Sequence, residues 1–377
     1  MQCRSCAVHW GRRCLLALCL CVSAVSAAAA PPWQERLTTA LERIDATPEG
    51  PRIGVYVRAL ASGESASFRA GQSWYLASTV KVPVAIAVLR SIARGDYQLD
   101  TPVTLRADDY VDGAGATNRH AVGVALPIRF LLEQMVIHSD NTASDMLIGL
   151  VGLEQVNAVT AGVAPAGFGP ITRLAEVRRA TYGQLVPAAH RLAGRELLVL
   201  RQQRDDSARL QYLARLVQVP VADFRVATLG EAYDAYYATG LNAGRLDAYG
   251  ELLAQLADGH LLPPAQTRYL LGLMERVVTG SQRIRAGLPA GARFAHKTGT
   301  QRGRFCDAGI VEPAAGTRVV VVACTRGALS LARAERALRE VGTALCRSGV
   351  LTQGVPDAPS CAVRPLALPA AGDADPP

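Results

Sequence analysis

Ser78-Thr79-Val80-Lys81 opens an apolar segment that runs to about residue 93, with the serine and the lysine three positions apart. On a helix that spacing puts both side chains on one face, one turn from each other. The lysine stands out by its rarity. Of 40 basic residues, 38 are arginine and only Lys81 and Lys297 are lysine. Arginine substitutes for lysine wherever a fixed charge suffices, but not where an amine must release and regain a proton. Lys297 opens Lys297-Thr298-Gly299-Thr300, and Ser139-Asp140-Asn141 lies between the two lysines. Each string alone is unspecific: a helix start, an N-cap and a strand fragment. Together and in this order they predict a nucleophilic site, with Ser78 attacking and Lys81 as its base.

The remaining roles follow from the residue types. A helix N-terminus at Ser78 favours negative charge on an attacked carbonyl oxygen. Ser139 is expected to pass a proton to the leaving nitrogen, while Asn141 holds Lys81 and a substrate amide. Lys297 is the expected second cation lowering the proton affinity of Lys81, and with Thr298 it would bind a substrate carboxylate. The strand carrying it would pair with an extended substrate, which Gly299 admits closely for want of a side chain.

Half of the 377 residues are hydrophobic and 19% are charged, a globular balance rather than a disordered one. The formal charge of +8 is dispersed among 32 acids, without basic runs interleaved with aromatics, so nucleic-acid binding is not expected. Residues 1–30 have the order of a secretion signal: Arg4, Arg12 and Arg13, an apolar stretch from Cys14, then Val25-Ser26-Ala27 and Ala28-Ala29-Ala30. A retained membrane anchor is the competing reading, weakened by the short run and its drift into alanine. A secreted or periplasmic protein is expected, without stable membrane insertion once the signal is removed. Five of nine cysteines fall within that signal, leaving Cys306, Cys324, Cys346 and Cys361. Two strands around a turn at residues 313–316 put Cys306 and Cys324 equidistant from residue 315, which favours their pairing over the alternatives. Cys346 and Cys361 would then tie the tail to the last helix. No metal site and no cofactor is expected.

Helical periodicity marks residues 32–44, 78–93, 128–137, 141–151, 154–161, 246–257, 264–277 and 329–346. Short strands are expected at 52–60, 64–69, 293–298, 305–312 and 317–324. Strands at both ends with helices between predict one antiparallel sheet built from the two termini and covered by helices. The main domain is expected over 31–350, and a mostly disordered tail over 351–377.

From about residue 41 to 347 the chain resembles class A serine β-lactamases, through the three motifs and through the stretch 274–289 before the last of them. The resemblance implies an α/β (α+β) fold of the β-lactamase and transpeptidase-like kind: a five-stranded antiparallel sheet with flanking helices plus an all-helical lobe. It also implies an oxyanion site from the backbone amides of Ser78 and Thr300, and places Arg283 where some members bind a carboxylate. A structural salt bridge is the equal alternative for Arg283. The family's Glu-x-x-Leu-Asn loop, whose glutamate activates the deacylating water, is not matched. Without a gap that position is Arg178, and Glu176 is the nearest acid. Residues 182–237 read as an insertion, either a lid or partner surface or helical padding. The expected activity is a monomeric serine hydrolase that opens small-molecule β-lactam amides through a Ser78 acyl-enzyme. The alternatives are a cell-wall D-amino-acid peptidase or esterase, and a penicillin-binding sensor that deacylates slowly.

Overall fold

Val319–Arg326 reads Val-Val-Val-Val-Ala-Cys-Thr-Arg, apolar on both sides of the pleat, and it is the middle strand of the main sheet. A computed structural model describes residues 32–328, 330–353 and 355. The strands are β1 (Arg52–Ala59), β2 (Ser65–Phe68), β3 (Ser73–Tyr75), β4 (Pro102–Thr104), β5 (Ala125–Pro127), β6 (Ala243–Arg245), β7 (Arg293–Gln301), β8 (Arg304–Glu312) and β9 (Val319–Arg326). Five of them form an antiparallel sheet in the order β2-β1-β9-β8-β7, as expected from the strands at the two ends of the chain. The pairs β3-β6 and β4-β5 form two small ribbons that the sequence pattern did not reveal.

Helices cover both faces. They are α1 (Pro32–Asp45), α2 (Lys81–Arg94), α3 (Ile128–Ile137), α4 (Asn141–Val151), α5 (Leu153–Val163), α6 (Leu174–Leu185), α7 (Gly194–Arg201), α8 (Asp206–Val217), α9 (Leu229–Ala238), α10 (Leu246–Ala257), α11 (Pro264–Glu275), α12 (Ile284–Gly287) and α13 (Leu331–Ser348). One face of β9, through Val319, Val321 and Ala323, packs with Leu37 and Leu41 of α1 and Leu338, Val341 and Leu345 of α13. The alternate residues Val320, Val322 and Cys324 join the other core, with Leu246, Leu252 and Leu253 of α10. This is the period of two that a strand buried on both faces requires.

The helical lobe is built around α2, whose residues from Lys81 to Leu89 are all buried. A helix apolar on every side belongs in the middle, and α2 touches α3, α4, α5 and α11. It begins at Lys81 rather than Ser78, because residues Ala77–Val80 wind as a separate 3-10 turn. Pro83 falls in its first turn, where its missing N–H costs nothing. Residues 182–237 supply the end of α6, then α7, α8 and α9. Their Leu197, Leu200, Leu213, Leu229 and Tyr236 are buried in the same core as α2, so the insertion is part of the body.

The expected signal at 1–30 and nearly all of the expected tail lie outside the described residues. Val350 and Leu351 are buried beside α13. Cys306 and Cys324 face each other across β8 and β9 and are joined by a disulfide, their Cα atoms 4.1 Å apart. Cys346 is also disulfide-bonded, and Cys361, its expected partner, lies outside the described residues. Peptide mapping without reductant should return Cys306 linked to Cys324. Cys324→Ser, by reopening a loop with a sequence separation of 18 residues, should cost about 3 kcal/mol of stability in denaturant titration.

Candidate active site

Ser78 sits on the 3-10 turn between β3 and α2, just after Ala77, whose φ of 48° lies in the left-handed region. A non-glycine residue there is strained and must be held by its surroundings. Two hydrogen bonds hold the turn: Thr79 Oγ1 donates to the Leu76 carbonyl at 2.8 Å, and the buried Tyr249 hydroxyl donates to the Thr79 carbonyl at 2.8 Å. The turn also presses on β7. A Cβ on Gly299 would lie 2.5 Å from the Leu76 carbonyl oxygen and 3.0 Å from the Ala77 Cβ. Glycine is therefore needed here so that the turn carrying Ser78 can approach the strand, a different reason from the expected admission of substrate.

Lys81 is fully buried. Its Nζ donates to the Ser139 carbonyl at 2.5 Å and to Asn141 Oδ1 at 2.6 Å, and lies 3.2 Å from both Ser78 Oγ and Ser139 Oγ. Burial pushes its pKa down to about 7, with Asp140 and Asp145 opposing the shift and Arg178 adding to it. Ser139 is at φ 63°, which turns its carbonyl and hydroxyl together toward that amine. Asp140 caps α4: its carboxylate accepts from the Ala143 amide at 2.9 Å and from the Thr117 amide at 2.9 Å. The N-cap of this string is thus Asp140, while its neighbours Ser139 and Asn141 contact Lys81.

Lys297, on the edge strand β7, is as fully buried as Lys81. Its Nζ donates to Ser139 Oγ at 3.0 Å, so one hydroxyl stands between the two amines of the chain. Burial, then Lys81 and Arg283, push the Lys297 pKa well down. Thr298 Oγ1 is 2.5 Å from Thr279 Oγ1. Arg283 is 3% exposed and braces β7 from behind. It donates to the carbonyls of Gly299 and Cys306 at 3.0 Å each and to Thr300 Oγ1 at 2.7 Å, with Glu335 at 3.4 Å. The salt-bridge alternative is present in the Glu335 pair, and the other end of the guanidinium reaches the Thr300 hydroxyl.

The segment after residue 171 is where pattern and structure part. Glu176 and Arg178 lie two apart on α6 and so face different sides. The Glu176 side chain is 43% exposed and has His190 and Arg179 each at 3.9 Å. Arg178 points inward and grips Asp112 with two bonds, Nε to Oδ1 at 2.6 Å and Nη2 to Oδ2 at 2.9 Å. Burial opposes its charge, and Asp112 and Tyr233 outweigh it, leaving its pKa well above the usual guanidinium value. The Asp112 carbonyl accepts from Asn141 Nδ2 at 2.6 Å, so this pair is one residue removed from the partners of Lys81. Asp112 gave no signal in sequence. Its partner is 66 positions away and only a buried arginine seeking a counter-ion would have pointed to it.

The insertion reaches both rims of this site. Arg201 of α7 stands 3.7 Å from Asp112. On the sheet side, the Tyr237 hydroxyl donates to the Arg302 carbonyl at 2.8 Å, and Arg302 bonds Asp206 at 2.7 Å. The Tyr237 ring packs on Tyr75, just before the Ser78 turn, with centroids 4.7 Å apart. Among the described residues, no group of three or more His, Cys, Asp or Glu side chains could hold a metal ion.

Comparison with known proteins bears on this arrangement. A model described as the β-lactamase enzyme family matches residues 36–348. A β-lactamase of Mycobacterium tuberculosis is 28% identical over 304 residues, covering 80% of this chain and 81% of that one. The β-lactamase L2 of Stenotrophomonas maltophilia is 36% identical over 127 residues, 33% of this chain, and the match spans only 41% of that relative. Among solved structures, a PBP-A variant in an acyl-enzyme complex with penicillin G has a TM-score of 0.62 at 20% identity, covering 84% of this chain and 97% of that one.

Because both amines are enclosed, the two lysines should be equally intolerant of arginine. Lys81→Arg and Lys297→Arg should each slow covalent labelling of the protein by a penicillin at least about 100-fold. A guanidinium cannot take a proton at Lys81, and its fork would displace the Ser139 hydroxyl at Lys297. Labelling rates followed by mass spectrometry check this, with Ser78→Ala as the unlabelled control.

Proposed function

The chain belongs to the β-lactamase enzyme family, and on that premise we propose that it is an exported enzyme of the class A kind that opens β-lactam amides through an acyl-enzyme on Ser78. It is a β-lactamase-like serine hydrolase. The observation that carries the finer reading is that Ser78 Oγ and Ser139 Oγ each lie 3.2 Å from Lys81 Nζ. The Lys81 amine takes the Ser78 proton as the Oγ–C bond forms and the carbonyl becomes an oxyanion. The backbone amides of Ser78 and Thr300 are the proposed oxyanion site. When the C–N bond breaks, the proton passes from Lys81 through the Ser139 hydroxyl to the departing nitrogen, and Lys81 is an amine again. Lys297, Thr298 and Thr300 would receive the substrate carboxylate, with Arg283 behind them. Asn141 would orient the side-chain amide. Export rests on the signal-like residues 1–30 and on the Cys306–Cys324 bridge, which suits an oxidising compartment. Among the described residues, no single helix is long and apolar enough to cross a membrane.

Release of the acyl group is where a second reading has support. Hydrolysis of the ester needs a base facing a water beside Ser78. Arg178 cannot accept a proton, and Glu176 is turned toward His190 and Arg179. A penicillin-binding sensor, or a cell-wall D-amino-acid peptidase or esterase whose own substrate leaves by another route, fits that composition. Stopped-flow turnover of a chromogenic cephalosporin separates the readings. A burst of about one equivalent followed by a slow phase, alike in the wild type and Glu176→Gln, is the expected result. Rapid linear turnover abolished by Glu176→Gln would assign deacylation to Glu176 and return the enzyme to the ordinary lactamase cycle.

A further inference from the structure

Arg178 has no part in the proton path just described, yet its side chain, 15% exposed, is joined to that path through Asp112 and Asn141. The contacts of Lys81 are of two kinds. The Ser139 carbonyl at 2.5 Å and Asn141 Oδ1 at 2.6 Å can only accept, so they take two N–H bonds. The two hydroxyl oxygens at 3.2 Å can donate as well as accept, so the one lone pair of an amine can take a proton from either of them. That protonation state depends on the charges facing the nitrogen. Asp140 and Asp145 face it with negative charge. Both are committed elsewhere: Asp140 to the amides of Thr117 and Ala143, and Asp145 to the amides of Leu174 at 2.6 Å and Ala175 at 2.8 Å. Lys297 stands across the Ser139 hydroxyl, and Arg178 on α6 is joined to the same cluster through Asp112 and Asn141.

We propose that Arg178 is a positioning residue for Lys81: locked in plane on Asp112, it steadies residues 111–113 against Asn141 and holds a fixed cation beside the groups that receive the Lys81 amine. The inference deepens the reading of Lys81 as the base of acylation and rests on it for its meaning in catalysis. The geometry has two arms. Through the Asp112 carbonyl and Asn141 Nδ2 the pair sets which way the Asn141 amide points, and hence that Oδ1 faces Lys81. Through space the guanidinium disfavours the ammonium form, in the same direction as burial. Lysine at position 178 would keep the second effect and weaken the first.

The sign is fixed. Loss of a neighbouring cation raises the proton affinity of Lys81, so a larger share is ammonium at a given pH and the acid limb of acylation moves upward. Two lysines make a direct measurement possible, since ¹³C labelling of lysine Cε gives two resonances in the whole protein, assigned with Lys297→Arg. In the wild type the Lys81 resonance should titrate with a midpoint near 7. In Arg178→Gln the midpoint should rise by about one pH unit, and in Asp112→Asn it should fall. Arg178→Lys should stay near the wild type. The acid limb of penicillin acylation should move with the midpoint in each protein. A Lys81 midpoint identical in the wild type, Arg178→Gln and Asp112→Asn overturns the proposal. If Arg178→Gln does not fold, an unmoved midpoint in Asp112→Asn does so alone. Absence of acylation at every pH, with the midpoints shifting as described, would instead overturn the acyl-enzyme reading and leave the electrostatic role of Arg178 standing.

Discussion

The burial of one amine organises this molecule. Lys81 has no access to water, and an ammonium in that position must be fully hydrogen-bonded or give up its proton. The three segments that enclose it come from distant parts of the chain: the Ser78 turn, the Ser139 loop and, one hydroxyl away, Lys297 on the edge strand. None of these contacts forms unless the sheet is closed against the helical lobe. Several costly features then find a cause. The left-handed Ala77 and Ser139 aim their neighbours at the amine, and Gly299 lets the strand come close enough to supply the second lysine.

The insertion changes the mechanics around that centre. Rather than hanging over the site as a separate flap, residues 182–237 bury leucines in the common core and touch the cleft from two directions. Arg201 meets the segment carrying Asp112, while Tyr237 and Asp206 hold the turn after β7 through Arg302. The edge of β7 is thereby tied down at its far end, which would limit how long an extended ligand could lie along it.

Most of the frame was legible because it rests on local periodicities. The spans 128–137, 141–151 and 246–257 follow from apolar spacing alone, and the Cys306–Cys324 pairing from hairpin symmetry. What the sequence could not disclose depends on distant partners. Strands of three residues such as β3 and β6 carry too few positions to show alternation. The residue types suggest a carboxylate-binding charge at Lys297, but nothing local discloses that the fold encloses it completely. Arg178 could be recognised as unable to act as a base, but its clasp on Asp112 spans 66 positions and has no local signature.

The bias of the chain toward arginine acquires a physical meaning at these two positions. At Lys81, the proposed base, the chain keeps lysine, and burial brings its pKa to about 7. Where the charge must never leave, at Arg178, it uses a guanidinium clamped on a carboxylate. A carboxylate in that place would serve the second half of a hydrolytic cycle by activating water, yet it would also hold the proton on Lys81 more tightly. An arginine there does the reverse. On the proposed cycle it would favour the amine that begins acylation and leave no base in that place to end it. The two halves of that proposed cycle would be coupled through one side chain of α6, the sign of its charge favouring one half over the other.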